Sequence, residues 1–259
     1  MPDSLSQSLD LPEDVQDILT RFVAQINQQW TADLGGLILF GSAARGDFIM
    51  GRSNINVLLI VRNLSVELLQ RAGQLQRQWG KHQIVAPLLM TEEDLVKSRS
   101  LFPLEFLQMT HSHVLLAGHD PFSETRIDTT RIDTARLGWQ CEHELMANLL
   151  RVRQRFIEGE GRIEAVQALL ILSITAVLPC IRGLLYCLGQ PSAEKDIPIL
   201  ETLSTTVQFD PTMFLDILKI KRGLSSPGSL EWLKAYERYL QCLEQFMKRV
   251  QEIRQEGRL

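Results

Sequence analysis

Apolar residues at Val15, Ile18, Leu19, Phe22, Val23 and Ile26 recur at helical spacing and predict an amphipathic helix ending near Trp30. Pro12 suits the first helical position, and Glu13 and Asp14 put negative charge on the first turn, where the helix dipole favours it. The pattern changes at Gly35-Gly36. Leu37 to Phe40 is a short apolar run that ends in Gly41-Ser42, which predicts a buried strand running into a turn. A polar, glycine-containing loop follows, and Ile55 to Val61 is a second apolar run. Ser65 to Trp79 reads as a helix with Ser65 as its cap and Glu67 in its first turn. Ile84 to Met90 predicts a third strand, with Pro87 marking an edge or a bulge. Thr91-Glu92-Glu93-Asp94 has the form of a helix start with a capping box. Val114-Leu115-Leu116 predicts a further strand, ended by Gly118-His119-Asp120-Pro121.

From about Asp128 the strand signals stop. Helical periods cover roughly Ala135–Glu158, Ile163–Leu188, Pro211–Arg222 and Ser229–Gln255, with breaks at Gly159-Glu160-Gly161, Gly189-Gln190-Pro191 and Ser225-Ser226-Pro227-Gly228. The expected fold class is α+β: a small mixed-sheet domain over residues 1–127 and an all-α bundle of four helices over residues 128–259. Ala165 to Ile181 is almost wholly apolar but is short of the ~20 residues that cross a bilayer. Pro179 interrupts it and Arg182 follows it, so a helix buried in the bundle is expected and a membrane partner is not.

Composition narrows the function classes. A formal net charge of −4 lacks the basic surplus of a phosphate-gripping groove, so nucleic acid is not an expected partner. The opening MPDSLSQSLD has neither a basic start nor an apolar core, which predicts a cytoplasmic protein. Cys141, Cys180, Cys187 and Cys242 lack zinc-type spacing and read as reduced thiols; Cys180 and Cys187 share a helix face and read as core.

The chemistry concentrates in Leu37 to Ile60, LILFGSAARGDFIMGRSNINVLLI. An apolar strand, Gly41-Ser42, two small residues, Arg45-Gly46, a loop, Ser53 and a second apolar strand follow in order. This stretch resembles the signature of the DNA polymerase β-like nucleotidyltransferases, of the kanamycin or minimal nucleotidyltransferase kind with a C-terminal helical bundle. The resemblance implies a nucleotide site at Gly41, Ser42, Arg45 and Ser53. Gly41 would let the backbone turn tightly beside a phosphate, Ser42 would donate to a triphosphate, and Arg45 would supply a planar cation or brace the loop. The signature continues as Ser-Asp-x-Asp, with two carboxylates two residues apart on one strand face, holding two magnesium ions. Here those positions are Asn54 and Asn56. They keep carbonyl oxygens and lose the charge that magnesium needs. The resemblance implies a third acid from a later strand, yet the matching region His82 to Met90 (HQIVAPLLM) contains none, which favours natural degeneration over a deliberate Asp-to-Asn change. The two asparagines are expected to satisfy loop hydrogen bonds. No catalytic residue is assigned.

The resulting expectation is a catalytically inactive, nucleotide-binding or protein-interaction pseudoenzyme. Its ligand would be ATP or another NTP, with Mg²⁺ held weakly if at all. One alternative is an active enzyme that moves a nucleoside monophosphate from an NTP to a hydroxyl of a small molecule or protein. Another is a pure interaction module that forms a homodimer or docks a protein through the helical domain. Lesser candidates have plainer readings. His111, His113, His119 and Asp120 read as a polar strand face rather than a metal site, and Glu142, His143 and Glu144 as a solvated helix face. Lys219, Lys221 and Arg222 cluster at a helix end and would either reach a triphosphate or complement the helix dipole. Phe102 to Leu107 and Val114 to Pro121 resemble a linker in bacterial members of the same group. The five histidines all precede the last three expected helices, which argues against a nuclease site there.

Overall fold

The computed structural model describes residues 9–122, 132–190 and 195–259. The chain divides into two compact units, Met1–Ile132 and Asp133–Leu259. The expected boundary at 127/128 lies outside the described residues.

In the first unit, α1 (Glu13–Gln29) precedes β1 (Leu34–Phe40), β2 (Asn56–Val61), α2 (Val66–Trp79), β3 (Leu88–Met90), α3 (Glu92–Leu101), α4 (Pro103–His111) and β4 (His113–Gly118). The sheet has the order β3-β2-β1-β4. β1 is antiparallel to β2 and to β4, whereas β2 and β3 are parallel and joined through α2, so the sheet is mixed. Side chains alternate across a strand. Leu37, Leu39, Val57, Leu59 and Val61 therefore share one face, where they join Phe22, Ile26 and Trp30 of α1 and Leu68, Leu75 and Trp79 of α2 in one core. The rings of Phe22 and Trp79 meet edge to face at 5.7 Å. Ile38, Leu58 and Ile60 point the other way and are also buried, as are Leu104, Phe106 and Met109 of α4. A strand pair buried on both faces explains why these runs are continuously apolar instead of alternating.

Local signals carry through where the partner is local. The Ser65 side chain accepts from Leu68 N–H, and Thr91 and Asp94 form a reciprocal capping box. Hydrogen bonds from Thr91 hold the Asp94 carboxyl below its usual range. The third strand is shorter than expected: Ile84 makes only an isolated bridge to Ile55, and regular pairing begins at Leu88, after Pro87. The stretch read as a linker is α4, with Pro103 at its start, followed by edge strand β4. β4 approaches β1 closely. A Cβ on Gly118 (φ +77°) would lie 2.4 Å from the Gly35 carbonyl oxygen.

The second unit is helical among its described residues: α5 (Thr134–Glu158), α6 (Ile163–Cys187), α7 (Asp196–Val207), α8 (Thr212–Lys221) and α9 (Trp232–Gln255). Four helices were expected, and α7 is the addition. Its stretch DIPILETLSTTV is rich in β-branched residues and carries Pro198, so propensity is weak. Burial of Ile199, Leu200, Leu203 and Val207 holds it, together with a buried ion pair from Arg182 Nη2 to Asp196 Oδ1 at 2.8 Å. Pro179 does not interrupt α6, which runs through it. Buried neighbours on both sides, Leu178 and Cys180, hold that turn in place despite the missing N–H. α6 has the length and hydropathy of a membrane span, but 67% of its apolar window is buried inside the protein, as in a core helix. Within the bundle, Tyr239 donates to Ser173 Oγ (2.8 Å) and Ser173 donates to Asn148 Oδ1 (2.6 Å), which satisfies three buried polar side chains.

Candidate functional site

Phe40 and Asn56 are paired across β1 and β2, so the loop between them begins and ends at one place on the sheet. Gly41 leaves β1 with φ +80°. Residues 41–47 then coil into a turn closed by Arg45 N–H to Gly41 O (3.1 Å) and Asp47 N–H to Ser42 O (2.9 Å). Gly41 has a steric reason of its own. A Cβ there would sit 2.8 Å from Asn56 Nδ2, so the amide packs directly on the glycine. Ser42 and Arg45 are half-buried on this turn. The Ser42 hydroxyl has no hydrogen-bond partner among the described residues.

Ser53 closes the far end of the loop. Its Oγ accepts from Ile49 N–H at 2.9 Å, its own N–H donates to Ile49 O at 2.8 Å, and the residue is buried. Gln83, in a left-handed conformation (φ 64°), completes the brace. Its side chain donates to Ser53 O (2.8 Å) and accepts from Gly51 N–H (3.3 Å), while its carbonyl accepts from Ile55 N–H (2.8 Å). The expected role of Asn54 and Asn56 in satisfying the loop is thus filled by Ser53 and Gln83. Among the described residues the two asparagine side chains make no hydrogen bond.

Asn54 and Asn56 flank buried Ile55 and so share a face; Asn54 is exposed and Asn56 half-buried. Asn56 lines a cleft of about 300 Å³ with Phe40, Val57, Val85, Leu88, Glu105, Gln108 and Met109. The β3 side contributes apolar groups, consistent with the missing third acid. One carboxylate, Glu105, enters from α4, beside the amide of Gln108. Among the described residues lining the cleft there is no cation, and Gly41, Ser42, Arg45, Ser53 and Asn54 are not in its wall. The structure therefore brings Asn56, Glu105 and Gln108 together and leaves the other expected residues on the adjoining loop. The sequence reading missed Glu105 and Gln108 because it took their segment for a linker. A charged and an amide residue three apart after Pro103 was the available signal.

This arrangement offers amide and carboxylate hydrogen-bonding groups over an apolar wall. One carboxylate falls short of the acid set that a two-magnesium centre uses. The lesser candidates have local partners. His113 bonds Thr110 O and Asp120 Oδ2, each at 3.0 Å, and packs on Phe122; His119 pairs with Glu92 at 3.1 Å. Among the described residues no three His, Cys, Asp or Glu side chains cluster as metal ligands. In the second unit Lys221 donates to Thr175 Oγ1 at 2.9 Å, and Arg222 lies 3.8 Å from Asp196. Burial pushes the Cys187 and Cys242 thiols up to about 12. No family model and no curated protein sequence matches the chain.

Proposed function

We propose that the first unit is a nucleotidyltransferase-like pseudoenzyme, which keeps a strand–loop–strand ligand site and has lost metal-dependent transfer. One observation carries the reading: Asn56 occupies the cleft where a carboxylate would be needed, packed on Gly41, with Glu105 as the one acid among the described lining residues. Nucleotidyl transfer with two magnesium ions requires carboxylates to hold the metals against the triphosphate. If metal assistance contributes several kcal/mol, its loss lowers the rate by several powers of ten. The ligand of such a site is ATP or another NTP bound through Ser42 and Arg45, with metal contributing little, and a protein partner is the other use of the same surface.

An active transferase is the second reading, and Glu105 is what favours it. With the carbonyl oxygens of Asn56 and Gln108, that carboxylate could hold one metal jointly with a triphosphate. The test is the Asn54→Asp, Asn56→Asp double variant, assayed beside the natural chain for Mg²⁺-dependent pyrophosphate release from each NTP. The pseudoenzyme reading expects release only from the variant, or from neither protein. Release by the natural chain that is lost in Glu105→Gln would overturn it in favour of the transferase.

A further inference from the structure

Helix α5 carries two apolar stripes. Leu137, Cys141, Leu145, Leu149 and Val152 are buried in the helical unit. A second stripe, Trp139, His143, Met146, Leu150, Arg153 and Ile157, steps by four, three, four, three and four residues, the spacing of a heptad seam. All of it faces out. Trp139, Met146, Leu150 and Ile157 are 57%, 43%, 54% and 74% exposed. Among the described residues of the helical unit nothing covers these large apolar groups, and a repeated exposed stripe marks a contact surface.

The charge order along α5 says what covers it. Glu142 and Glu144 outweigh Arg136 in the first half of the helix; Arg151, Arg153 and Arg155 outweigh Glu158 in the second. A parallel copy would set acid beside acid and base beside base. An antiparallel copy sets each acidic half beside a basic half, and the same register brings Trp139 against Ile157 of the second copy and Met146 against Leu150. His143 then faces Arg153, a polar layer within the seam. Several of these charges already have partners within the chain: Arg254 with Glu142 (2.6 Å), Arg153 with Glu244 (2.5 Å) and Arg151 with Glu144 (3.8 Å). The complementarity is therefore one of fields along the helix more than of new pairs. Beside the seam, Met146 and Trp139 also border a groove with Met247 and Val250 of α9, which gives the apolar stripe a concave flank.

We propose that the protein self-associates as a two-fold dimer through antiparallel packing of α5 on α5 of a second copy. The helix has 25 residues and is about 37 Å long, of which the seam from Trp139 to Ile157 spans about 27 Å. A two-helix contact of that size lies at the small end of specific interfaces, so the dimer depends on concentration. The proposal does not depend on what the cleft in the first unit binds.

Sedimentation velocity of the full chain from about 1 to about 100 µM tests it. The mass should rise from 29.5 kDa toward twice that value. Leu150→Glu and Met146→Glu should each weaken association by about tenfold or more with unchanged far-ultraviolet circular dichroism, since both positions are exposed. For orientation, Met146→Cys and Leu150→Cys chains mixed under mild oxidant should cross-link to each other in preference to themselves. A monomer throughout, a dimer indifferent to both glutamates, or preferred Met146→Cys self-cross-linking would overturn the proposal. So would binding of the stripe to phospholipid vesicles without self-association.

Discussion

Gly41→Ala probes the point where loop, strand and cleft meet. The position has φ +80°, where a residue with a Cβ costs roughly 1–2 kcal/mol. The new methyl group would also lie 2.8 Å from Asn56 Nδ2, so the amide must leave its rotamer, at roughly 0.5–1.5 kcal/mol. Lower chain entropy in the unfolded state returns about 0.4–1 kcal/mol. The expected net loss is about 1–2 kcal/mol, felt first where β1 meets β2. Hydrogen exchange of the full chain at Leu37–Leu39 and Val57–Leu59 reads it as roughly 5- to 30-fold faster exchange. A second substitution separates the two costs. Asn56→Ala alone should be near neutral, because the side chain is half-buried and makes no hydrogen bond among the described residues. In the Gly41→Ala background it should recover the steric part and leave the backbone part. If Gly41→Ala is neutral, or Asn56→Ala gives no relief, the close packing of glycine and amide is wrong.

Two further outcomes follow from the helical unit. Ser173→Ala leaves Asn148 Oδ1 and the Tyr239 hydroxyl buried without their partner, so urea unfolding should show a loss of about 3 kcal/mol. Adding Tyr239→Phe should recover part of it, and simple additivity would contradict a connected network. Burial raises the Cys187 and Cys242 thiols from an ordinary 9.0 to about 12. Between those values the folded chain keeps protons that the unfolded chain releases, so melting temperature should be steady below pH 9 and fall as pH rises toward 12. A Cys187→Ala, Cys242→Ala variant should lose part of that slope, and an unchanged slope would contradict the assignment.

The sequence was most legible where structure is set by neighbours. Ser65 and Thr91 announced their helices because a cap is a contact over three residues. The buried runs Leu37–Phe40 and Ile55–Val61 announced β1 and β2 because a strand covered on both faces has no alternation to mislead. Legibility failed where the deciding partner is distant. Gln83 braces a loop some thirty residues earlier, and its left-handed backbone leaves no compositional mark. Glu105 reaches the cleft only because α4 borders Phe40 and Asn56 at the ends of β1 and β2, and α7 is a helix by virtue of burial and Arg182, against its own propensity. At the candidate site, Asn54 and Asn56 were legible as positions. Their lack of loop hydrogen bonds, and the presence of only Asn56 in the cleft wall, came from three-dimensional packing.

The loss of the metal site can be measured without knowing an acceptor. Mn²⁺ substitutes for Mg²⁺ and reports its own binding through water-proton relaxation, so the full chain is titrated with Mn²⁺ in the presence and absence of ATP. One acid and two amides in the cleft predict no saturable protein site tighter than about 1 mM without ATP, and with ATP no Mn²⁺ affinity beyond that of ATP alone. A site tighter than that of ATP alone, which needs both protein and ATP and disappears in Asn56→Ala or Glu105→Gln, would contradict the account, because the cleft would then still hold a catalytic metal.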